Sequence, residues 1–303
     1  MRKALIQLNA AVFLWGFTGV LGRAITLEST LLVWWRLLIT VISLWIGYVF
    51  FKKLQRLPLR SAAIIFMIGT IQALHWISFY ASIKYANVTI ALTCLSMTAL
   101  LASIVEPLVM RKRFDATEIL LGLFAFVGIL IIYNTHLQFS AGIVIGLISA
   151  LLTVFVSVLN KKIIDRYQPE TITLYQLTGG FLGLSILLPF YNYFFPPVQK
   201  FPTTHDWIWL LILSWVCTIL TFFLYIHSLK KISAFTMNLT LTLEPIYGII
   251  LAFVIFKENK FLSSWFYLGF ALSCCIAHMA VVETCNESAF QHLTLALKFS
   301  HHL

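Results

Sequence analysis

Long apolar segments, separated by short polar ones, follow one another along nearly the whole chain. A transmembrane helix needs about 20 apolar residues to cross a hydrocarbon core of roughly 30 Å. Segments of that length predict ten membrane-spanning helices, spans 1 to 10, at 4–24, 31–51, 61–83, 87–110, 116–134, 141–160, 170–190, 207–228, 234–256 and 262–282. The pattern therefore predicts an all-α, polytopic membrane protein.

The composition of the chain agrees with a lipid environment. Hydrophobic residues make up 60% of the 303 residues and charged residues only 11%, whereas soluble domains carry about 25% charged residues. With so few charged side chains, a soluble fold of this length could not cover its surface. The composition therefore excludes a soluble globular protein.

Lys and Arg residues concentrate in the segments between alternate spans. When both termini are placed in the cytoplasm, fifteen of the 21 Lys and Arg residues fall in cytoplasmic segments and four in outer segments. Cytoplasmic loops of membrane proteins carry such an excess, so the distribution predicts a cell (inner) membrane protein with both termini cytoplasmic. The net charge of +10 is explained by these loops, and no nucleic-acid partner is predicted.

The second half of the chain repeats features of the first, 146 residues later. Residues 82–84 (Ser-Ile-Lys) end span 3, and residues 228–230 (Ser-Leu-Lys) end span 8. At the same offset Arg111 corresponds to Lys257. We therefore predict a first five-helix repeat, a second five-helix repeat and a cytoplasmic tail, at 1–137, 138–282 and 283–303.

The number of spans in each predicted repeat sets their relative orientation. Each repeat holds five spans, and because five is odd, the second repeat enters the membrane from the opposite side. Inverted repeats of this kind occur mainly in transporters, in which the two halves rock around a site near the middle of the bilayer.

Arg36 is an ionisable residue a few positions into span 2. A charge at the centre of a span costs about 2.5–3.5 kcal/mol, so such a residue needs a partner or a function. Two interpretations of Arg36 remain open: its side chain snorkels to the interface, or it points at an anionic group, since the guanidinium fork suits a carboxylate.

Glu244 lies near the middle of span 9, directly before Pro245. A proline inside a helix removes a backbone hydrogen bond, so Pro245 predicts a helix kink. Glu244 is either a substrate or proton site, or a buried carboxyl group that is protonated or paired for packing.

A polar and aromatic stripe recurs in both halves. It consists of Gln72, His75, Phe79 and Ser82 on span 3, and of Thr218, Thr221, Tyr225 and Ser228 on span 8. Two symmetric walls of a central cavity have this pattern, and Trp15 and Trp76 lie deep enough to line it as well. The alternative is that small hydroxyl residues let helices approach closely and bond to each other.

The sequence contains none of the short motifs of known catalytic or nucleotide-binding sites. HExxH, GxSxG, Walker A and dinucleotide-binding patterns are absent. The five cysteines do not have the spacing of a zinc site. We therefore predict no metal, no cofactor and no enzymatic activity.

Several short motifs occur in order along the chain: Leu14-Trp15-Gly16, Arg36, Ser82-Ile83-Lys84-Tyr85, Tyr175-Gln176-Leu177 with Gly180, Leu243-Glu244-Pro245 and Phe256-Lys257-Glu258. Together they resemble the drug/metabolite transporter superfamily, in its EamA-type branch. The sequence departs from the family at Ala99, where a proline is common, and at Phe17, where a small polar residue is common. The resemblance implies two five-helix repeats around a central cavity, and a secondary transporter of small metabolites, commonly an exporter of amino acids or related compounds.

We therefore expect an exporter that works by alternating access, with a small-molecule substrate and membrane lipid as partners. The expected substrate-binding residues are Trp15, Arg36, Gln72, His75, Trp76, Thr221, Tyr225 and Glu244. A further hypothesis is proton coupling through Glu244 and His75. The alternatives are an uncoupled facilitator or exchanger, and an intramembrane enzyme that acts on a lipid-linked substrate. The enzyme is disfavoured because the ionisable residues are dispersed over several spans.

Overall fold

The computed structural model describes residues 2–51, 55–111, 113–114, 116, 120, 127, 130–134, 137–163, 166–222, 224 and 243–271. The described part is helical and contains no strand. Its helices are α1 (Arg2–Ala24), α2 (Ser29–Phe51), α3 (Leu59–Tyr85), α4 (Val88–Leu95), α5 (Thr98–Met110), α6 (Ser140–Lys161), α7 (Pro169–Phe194), α8 (Thr204–Leu220) and α9 (Glu244–Phe256). Short 3₁₀ turns occupy Leu137–Phe139 and Glu258–Phe261, and residues 264–271 are helical.

Five described helices, α1, α2, α3, α6 and α7, are long and apolar enough to cross a membrane. The broken pair α4 and α5 adds a sixth candidate span. Predicted span 5 and the second half of span 10 lie mostly outside the described residues, as does the tail at 283–303. The prediction of a multi-pass helical protein is confirmed, and the total of ten spans stays a prediction.

Span 4 is not the continuous helix that its hydropathy predicts. The chain breaks between α4 and α5, whose axes differ by 42°. At the break the Ser96 hydroxyl donates to the carbonyl oxygen of Thr93 at 2.7 Å, and the N–H of Met97 bonds to Cys94 rather than to Thr93. Such local hydroxyl-to-carbonyl bonds compete with the regular helix ladder and bend helices.

The 146-residue offset recurs in the ends of two helices. α5 and α9 both contain 13 residues, and their first residues are Thr98 and Glu244. Each ends before a residue in the left-handed conformation, Arg111 with φ 55° and Lys257 with φ 54°. Such a residue is a common way to end a helix, although it is usually glycine. The correspondence of Arg111 with Lys257 therefore appears in local structure as well as in sequence.

Helices from the two halves of the chain pack against each other in matching pairs. In the first half α3 packs on α6 and α7, and α4 and α5 pack on α6. In the second half α8 packs on α1 and α2, and α9 packs on α1. The third span of each half therefore packs on the first two spans of the other half, and the fourth span packs on the first.

Two of these crossings bring helix backbones into direct contact through glycine. A Cβ atom added at Gly69 of α3 would lie 1.8 Å from the carbonyl oxygen of Gln176 in α7, and Gly180 faces the same place. A Cβ atom at Gly16 of α1 would lie 2.9 Å from the carbonyl oxygen of Glu244 in α9. Small residues at such points allow close helix packing where apolar surface alone gives no driving force.

Candidate functional site

Arg36 lies at the centre of a polar cluster inside the bundle. Its side chain is buried, with 3% of its surface exposed. Nε and Nη2 donate to the hydroxyl oxygen of Thr218 at 3.1 and 2.9 Å, and Nη1 donates to the Tyr80 hydroxyl at 2.9 Å. The guanidinium carbon lies 4.0 Å from the centre of the Trp76 ring. The side chain therefore points inward, and the snorkelling interpretation is wrong.

The helical geometry of α8 places Thr218 against this guanidinium. Residues Ile212–Leu220 form a π-helix, a wider form that occurs often at functional sites. The Thr218 hydroxyl donates to the carbonyl oxygen of Leu213, five residues earlier, at 2.8 Å. This bond occupies the hydroxyl proton and leaves the oxygen lone pairs for Arg36. The Ser214 hydroxyl also donates to the Arg36 carbonyl oxygen at 3.2 Å.

The charge of Arg36 has no acidic partner in the described part of the chain, where the one ion pair joins Arg23 and Glu258. Tyr80, Thr218 and Trp76 are all neutral. Hydrogen bonds to neutral groups offset only part of the cost of burying a charge. The cluster is therefore electrostatically suited to an anion.

His75 contacts the neighbouring helix α6 rather than the Arg36 cluster. Its Nδ1 atom lies 2.9 Å from both the carbonyl oxygen and the hydroxyl oxygen of Ser149. Seven residues later in α3, the Ser82 hydroxyl donates to the carbonyl oxygen of Gly142 in α6 at 2.7 Å. Two of the four stripe residues on α3, His75 and Ser82, therefore bond across to another helix, as the packing alternative describes. A proton-carrying role for His75 stays a prediction.

The other predicted substrate-binding residues occupy different surroundings. The Trp15 ring meets the Phe222 ring edge to face, with centroids 6.3 Å apart. The Thr221 hydroxyl is buried and donates to carbonyl oxygens three and four residues earlier in its own helix. Gln72 has no hydrogen bond to another described residue. Tyr225 lies outside the described residues.

Glu244 and Pro245 form the first turn of α9. The backbone of Glu244 packs against Gly16 of α1. Its carboxylate makes no hydrogen bond or ion pair with the described part of the chain. The predicted kink depends on residues 225–242, which lie outside the described residues, so the kink stays a prediction.

A narrow cavity of about 20 Å³ adjoins the Arg36 cluster at Thr218. A cavity of this size holds about one water molecule. It lies between α2, α7 and α8, and it is lined by Leu44, Tyr48, Glu170, Thr173, Leu177, Thr218, Ile219 and Phe222. Thr218 therefore belongs both to the cavity wall and to the Arg36 cluster. The described part of this space has no room for a metabolite.

Sequence reasoning missed two buried carboxylates that join helix ends: Asp206 holds the loop between α1 and α2, and Glu258 holds the first turn of α4. The first is Asp206, which is fully buried. It accepts the backbone N–H and the hydroxyl of Thr26 at 2.8 and 2.7 Å, and the backbone N–H and hydroxyl of Thr203 at 3.0 and 2.8 Å. The Thr203-to-Asp206 spacing is that of a helix capping box, which the sequence contains, but no local pattern reveals the contact with Thr26.

The second missed carboxylate is Glu258, with 1% of its surface exposed. It accepts the backbone N–H groups of Val88 and Thr89 at 3.2 and 2.8 Å and the Thr89 hydroxyl at 2.6 Å. It also forms an ion pair with Arg23, at the end of α1. Glu258 therefore stabilises the first turn of α4, where backbone N–H groups lack helix partners.

Lys84 completes what we call the loop network: Arg23, Lys84, Asp206 and Glu258. The Lys84 ammonium group donates to the carbonyl oxygens of Ile25 and Leu27. Through these contacts the ends of α1, α3 and α9 and the beginnings of α2, α4 and α8 meet at one end of the bundle.

Contacts without a carboxylate partner join helix termini at the opposite end. The Tyr167 hydroxyl before α7 donates to Ser61 in the first turn of α3 at 2.8 Å. The Lys162 ammonium group after α6 donates to the carbonyl oxygen of Val109 near the end of α5 at 2.9 Å. The two buried carboxylates, Asp206 and Glu258, therefore both lie at the loop-network end.

Comparison with known proteins gives consistent matches. The sequence profile of the EamA-like transporter family matches this chain twice, over residues 2–134 and 140–278. A protein of Archaeoglobus fulgidus named "Uncharacterized transporter" is 24% identical over 182 residues, which are 60% of this chain and 63% of that protein. A Bacillus subtilis (strain 168) protein named "Uncharacterized transporter YxxF" is 23% identical over 260 residues, which are 82% of this chain and 80% of that protein.

A solved crystal structure resembles the fold, with a TM-score of 0.60 at 14% sequence identity. The superposition covers 92% of this chain and 96% of the other. At this identity the likeness establishes the fold alone. Among the curated relatives, the alignment spans less than two thirds of the archaeal protein.

Proposed function

The chain belongs to the EamA-like transporter family and is a multi-pass membrane transporter, and from this premise we propose that it is a secondary transporter of small organic metabolites. The proposed direction is export, and the proposed substrates are amino acids or related compounds. The two halves of the chain act as inverted repeats that rock against each other, so that a central site faces one side of the membrane at a time.

The pairing of helices between the halves is the observation that carries this proposal. α3 packs on α6 and α7, and its counterpart α8 packs on α1 and α2. The first helices of the halves, α1 and α6, finish at opposite ends of the bundle, because α1 leads into the loop network and α6 leads to Lys162. Two interlocked halves that run in opposite directions support an inverted repeat.

The loop network supports a gate at the proposed outer end. Thr26 belongs to the first half and Asp206 to the second, and the ion pair of Arg23 with Glu258 also joins the two halves. Closure at this end agrees with the positive-inside distribution, which places it away from the cytoplasm. For the outer end to open, these contacts between the halves must break.

The substrate site of the proposal is the Arg36 cluster, together with the cavity that Thr218 shares with it. The movement of α2 and α8 that opens this cavity would expose the guanidinium and the Trp76 ring. Proton coupling through Glu244, with His75 as a further candidate, belongs to the same proposal. The contacts of His75 with Ser149 place it at the interface between α3 and α6, where rocking would change its surroundings.

Reconstituted flux tests the proposal. The purified protein is reconstituted into proteoliposomes, which are loaded with a mixture of ¹⁴C-labelled amino acids. Efflux from them is compared with efflux from protein-free liposomes. We expect saturable, protein-dependent efflux of one or more labelled compounds. The proposal would be overturned if efflux of amino acids, and of a panel of other small metabolites, is no faster than from loaded liposomes without protein.

Proton coupling is tested in the same vesicles. Efflux is measured with and without an imposed pH gradient, for the unmodified protein and for Glu244→Gln. Coupling predicts that the gradient accelerates flux and that the substitution abolishes this acceleration. Flux that is unchanged by the pH gradient and by Glu244→Gln identifies an uncoupled facilitator or exchanger, the alternative mode of transport.

A further inference from the structure

The hydrogen bonds of Arg36 leave part of its guanidinium group unused. The group carries five N–H donors in a planar fork. Three of them are used: the N–H of Nε and one on Nη2 bond to Thr218, and one on Nη1 bonds to Tyr80. One N–H on Nη1 and one on Nη2 therefore have no acceptor in the described part of the chain, although the side chain is 97% buried.

Unsatisfied charged donors in the interior of a protein are rare, because a buried polar group without a partner is costly. Tyr80 and Thr218 accept hydrogen bonds but carry no charge, and Trp76 covers one face of the group. Their arrangement fixes the orientation of the guanidinium and leaves the charge uncompensated. An additional acceptor with a negative charge would both pair the free N–H groups and compensate the charge of the guanidinium.

We infer that Arg36, Tyr80, Thr218 and Trp76 bind the carboxylate group of an organic substrate, so that the transported substrates carry a carboxylate, as amino acids do, and compounds without one are not transported. This inference rests on the proposed function and specifies its substrate class. Two free N–H groups on neighbouring nitrogens match the two oxygens of a carboxylate, which guanidinium groups bind in a forked arrangement.

The cavity walls define the rest of the ligand. Beyond Thr218 they are mostly apolar, with Leu44, Leu177 and Phe222 among them. Tyr48 and the one acid of the cavity wall, Glu170, lie toward the opposite end of α2 from Arg36. Twelve residues separate Arg36 from Tyr48, or about 18 Å along a helix. The carboxylate is therefore expected to carry an apolar or aromatic group that points along the cavity.

Thermal stabilisation of the purified full-length protein tests this inference without transport. The probes are benzoate, its neutral analogue benzamide and its cationic analogue benzylamine, supplemented by acetate, phenylalanine and glutamate. The variants are Arg36→Gln, Arg36→Lys and the control Arg60→Gln, which removes an exposed arginine in the first turn of α3. Size-exclusion chromatography and far-UV circular dichroism establish that each variant is folded.

We expect benzoate to raise the melting temperature of the unmodified protein and of Arg60→Gln, with benzamide and benzylamine inactive. Hydrogen bonds to charged groups are worth enough that Arg36→Gln should weaken benzoate binding about 10- to 100-fold. Arg36→Lys keeps the charge but loses the fork, so it should restore binding only in part. If Arg36→Gln does not fold, Thr218→Val, which removes the acceptor that orients the fork, should weaken benzoate binding in its place.

Two outcomes would overturn the inference: stabilisation by none of the carboxylates, or a benzoate effect that survives Arg36→Gln or is matched by benzamide. Its failure is distinguishable from failure of the proposed function. Saturable flux of a compound without a carboxylate group would support the proposed transporter and overturn the carboxylate site. Benzoate binding that requires Arg36, without flux of any compound, would support the carboxylate site and overturn the proposed transport function.

Discussion

The crossing of α3 and α7 requires a residue without a side chain at position 69, and Gly69→Ala tests this contact between the two halves of the chain. A Cβ atom at Gly69 would lie 1.8 Å from the Gln176 carbonyl oxygen and 2.8 Å from the backbone nitrogen of Gly180. Contacts below 3.0 Å essentially do not occur. The helices must therefore separate locally by about 1.2 Å, the difference between the 1.8 Å approach to the Gln176 carbonyl oxygen and the 3.0 Å limit.

The size of the effect follows from this geometry. A gap of 0.5–1 Å already forfeits about a quarter to a half of the dispersion energy of the atoms facing it. Overpacking costs about 1–3 kcal/mol where side chains can adjust, and a backbone carbonyl cannot rotate away, so we expect about 3 kcal/mol. Alanine favours the helix over glycine by up to about 1 kcal/mol, which leaves a net loss of about 2 kcal/mol.

Intrinsic tryptophan fluorescence during heating of the detergent-purified protein measures the change. At about 2–4 °C per kcal/mol, Gly69→Ala should lower the apparent melting temperature by about 4–8 °C. Gly47→Ala is the matched control, because a Cβ atom at Gly47 in α2 meets nothing within 4 Å. It should leave the melting temperature unchanged or slightly raised. Equal melting temperatures for the two variants would refute the close crossing.

Three further predictions concern the polar contacts between helices. Asp206→Asn keeps one acceptor oxygen of two, so it should weaken closure of the loop-network end by about 2 kcal/mol and lower the melting temperature; Glu28→Gln in the same loop is the control, and equal effects would contradict the account. Ser149→Ala should cost about 1 kcal/mol by the same assay, whereas the exposed Ser157→Ala should cost nothing; equal losses would contradict the interhelical role of Ser149. Thr218→Val leaves two guanidinium donors unpaired and should cost about 1–3 kcal/mol, and Thr218→Ser should restore most of it; a valine variant as stable as the unmodified protein would argue against the hydrogen-bonded cluster.

Most helix positions were predictable because one physical requirement determines them. Span 6 was predicted at 141–160, and the structure has α6 at Ser140–Lys161. Span 2 was predicted at 31–51, and α2 is Ser29–Phe51. The hydrocarbon core imposes a length on any helix that crosses it, and that length is visible in the hydropathy of the sequence alone.

The break in span 4 was not predictable in this way. Hydropathy is continuous through residues 95–98, and the position where the family often has a proline holds Ala99. The bend arises from backbone geometry and a local hydroxyl bond at Ser96. Serines inside continuous helices are common, so this residue alone does not indicate a break.

The site was predictable in its residues but not in its arrangement. Arg36 and Trp76 were expected near the substrate, and Thr218 was part of the recurring stripe. The π-helix that turns Thr218 toward Arg36 has no pattern in the sequence, since it changes the periodicity on which face assignments depend. This is why the direction of the Arg36 side chain needed the structure.

The loop network was missed because its contacts are distant in sequence. Asp206 and Thr26 are 180 positions apart, and Glu258 and Thr89 are 169 positions apart. Charged residues near the ends of predicted spans ordinarily belong to solvated loops, which is how hydropathy assigns them. Their burial follows only from the packing of α1, α4 and α8 at one end of the bundle.

The central claim, that the site is exposed to one side of the membrane at a time, is tested by labelling a cysteine in the cavity. Ile219 lines the cavity, so Ile219→Cys places a thiol there. The unmodified chain, in which Cys94 and Cys217 are buried, gives the background labelling. Membrane-impermeant thiol reagents are applied to intact cells and to inside-out vesicles, with and without Asp206→Asn. We predict labelling mainly from the cytoplasmic side, and an increase of up to roughly 30-fold in the outer-to-inner ratio when a loss of about 2 kcal/mol weakens the outer closure. Equal labelling from both sides, or a ratio that Asp206→Asn leaves unchanged, would contradict alternating access.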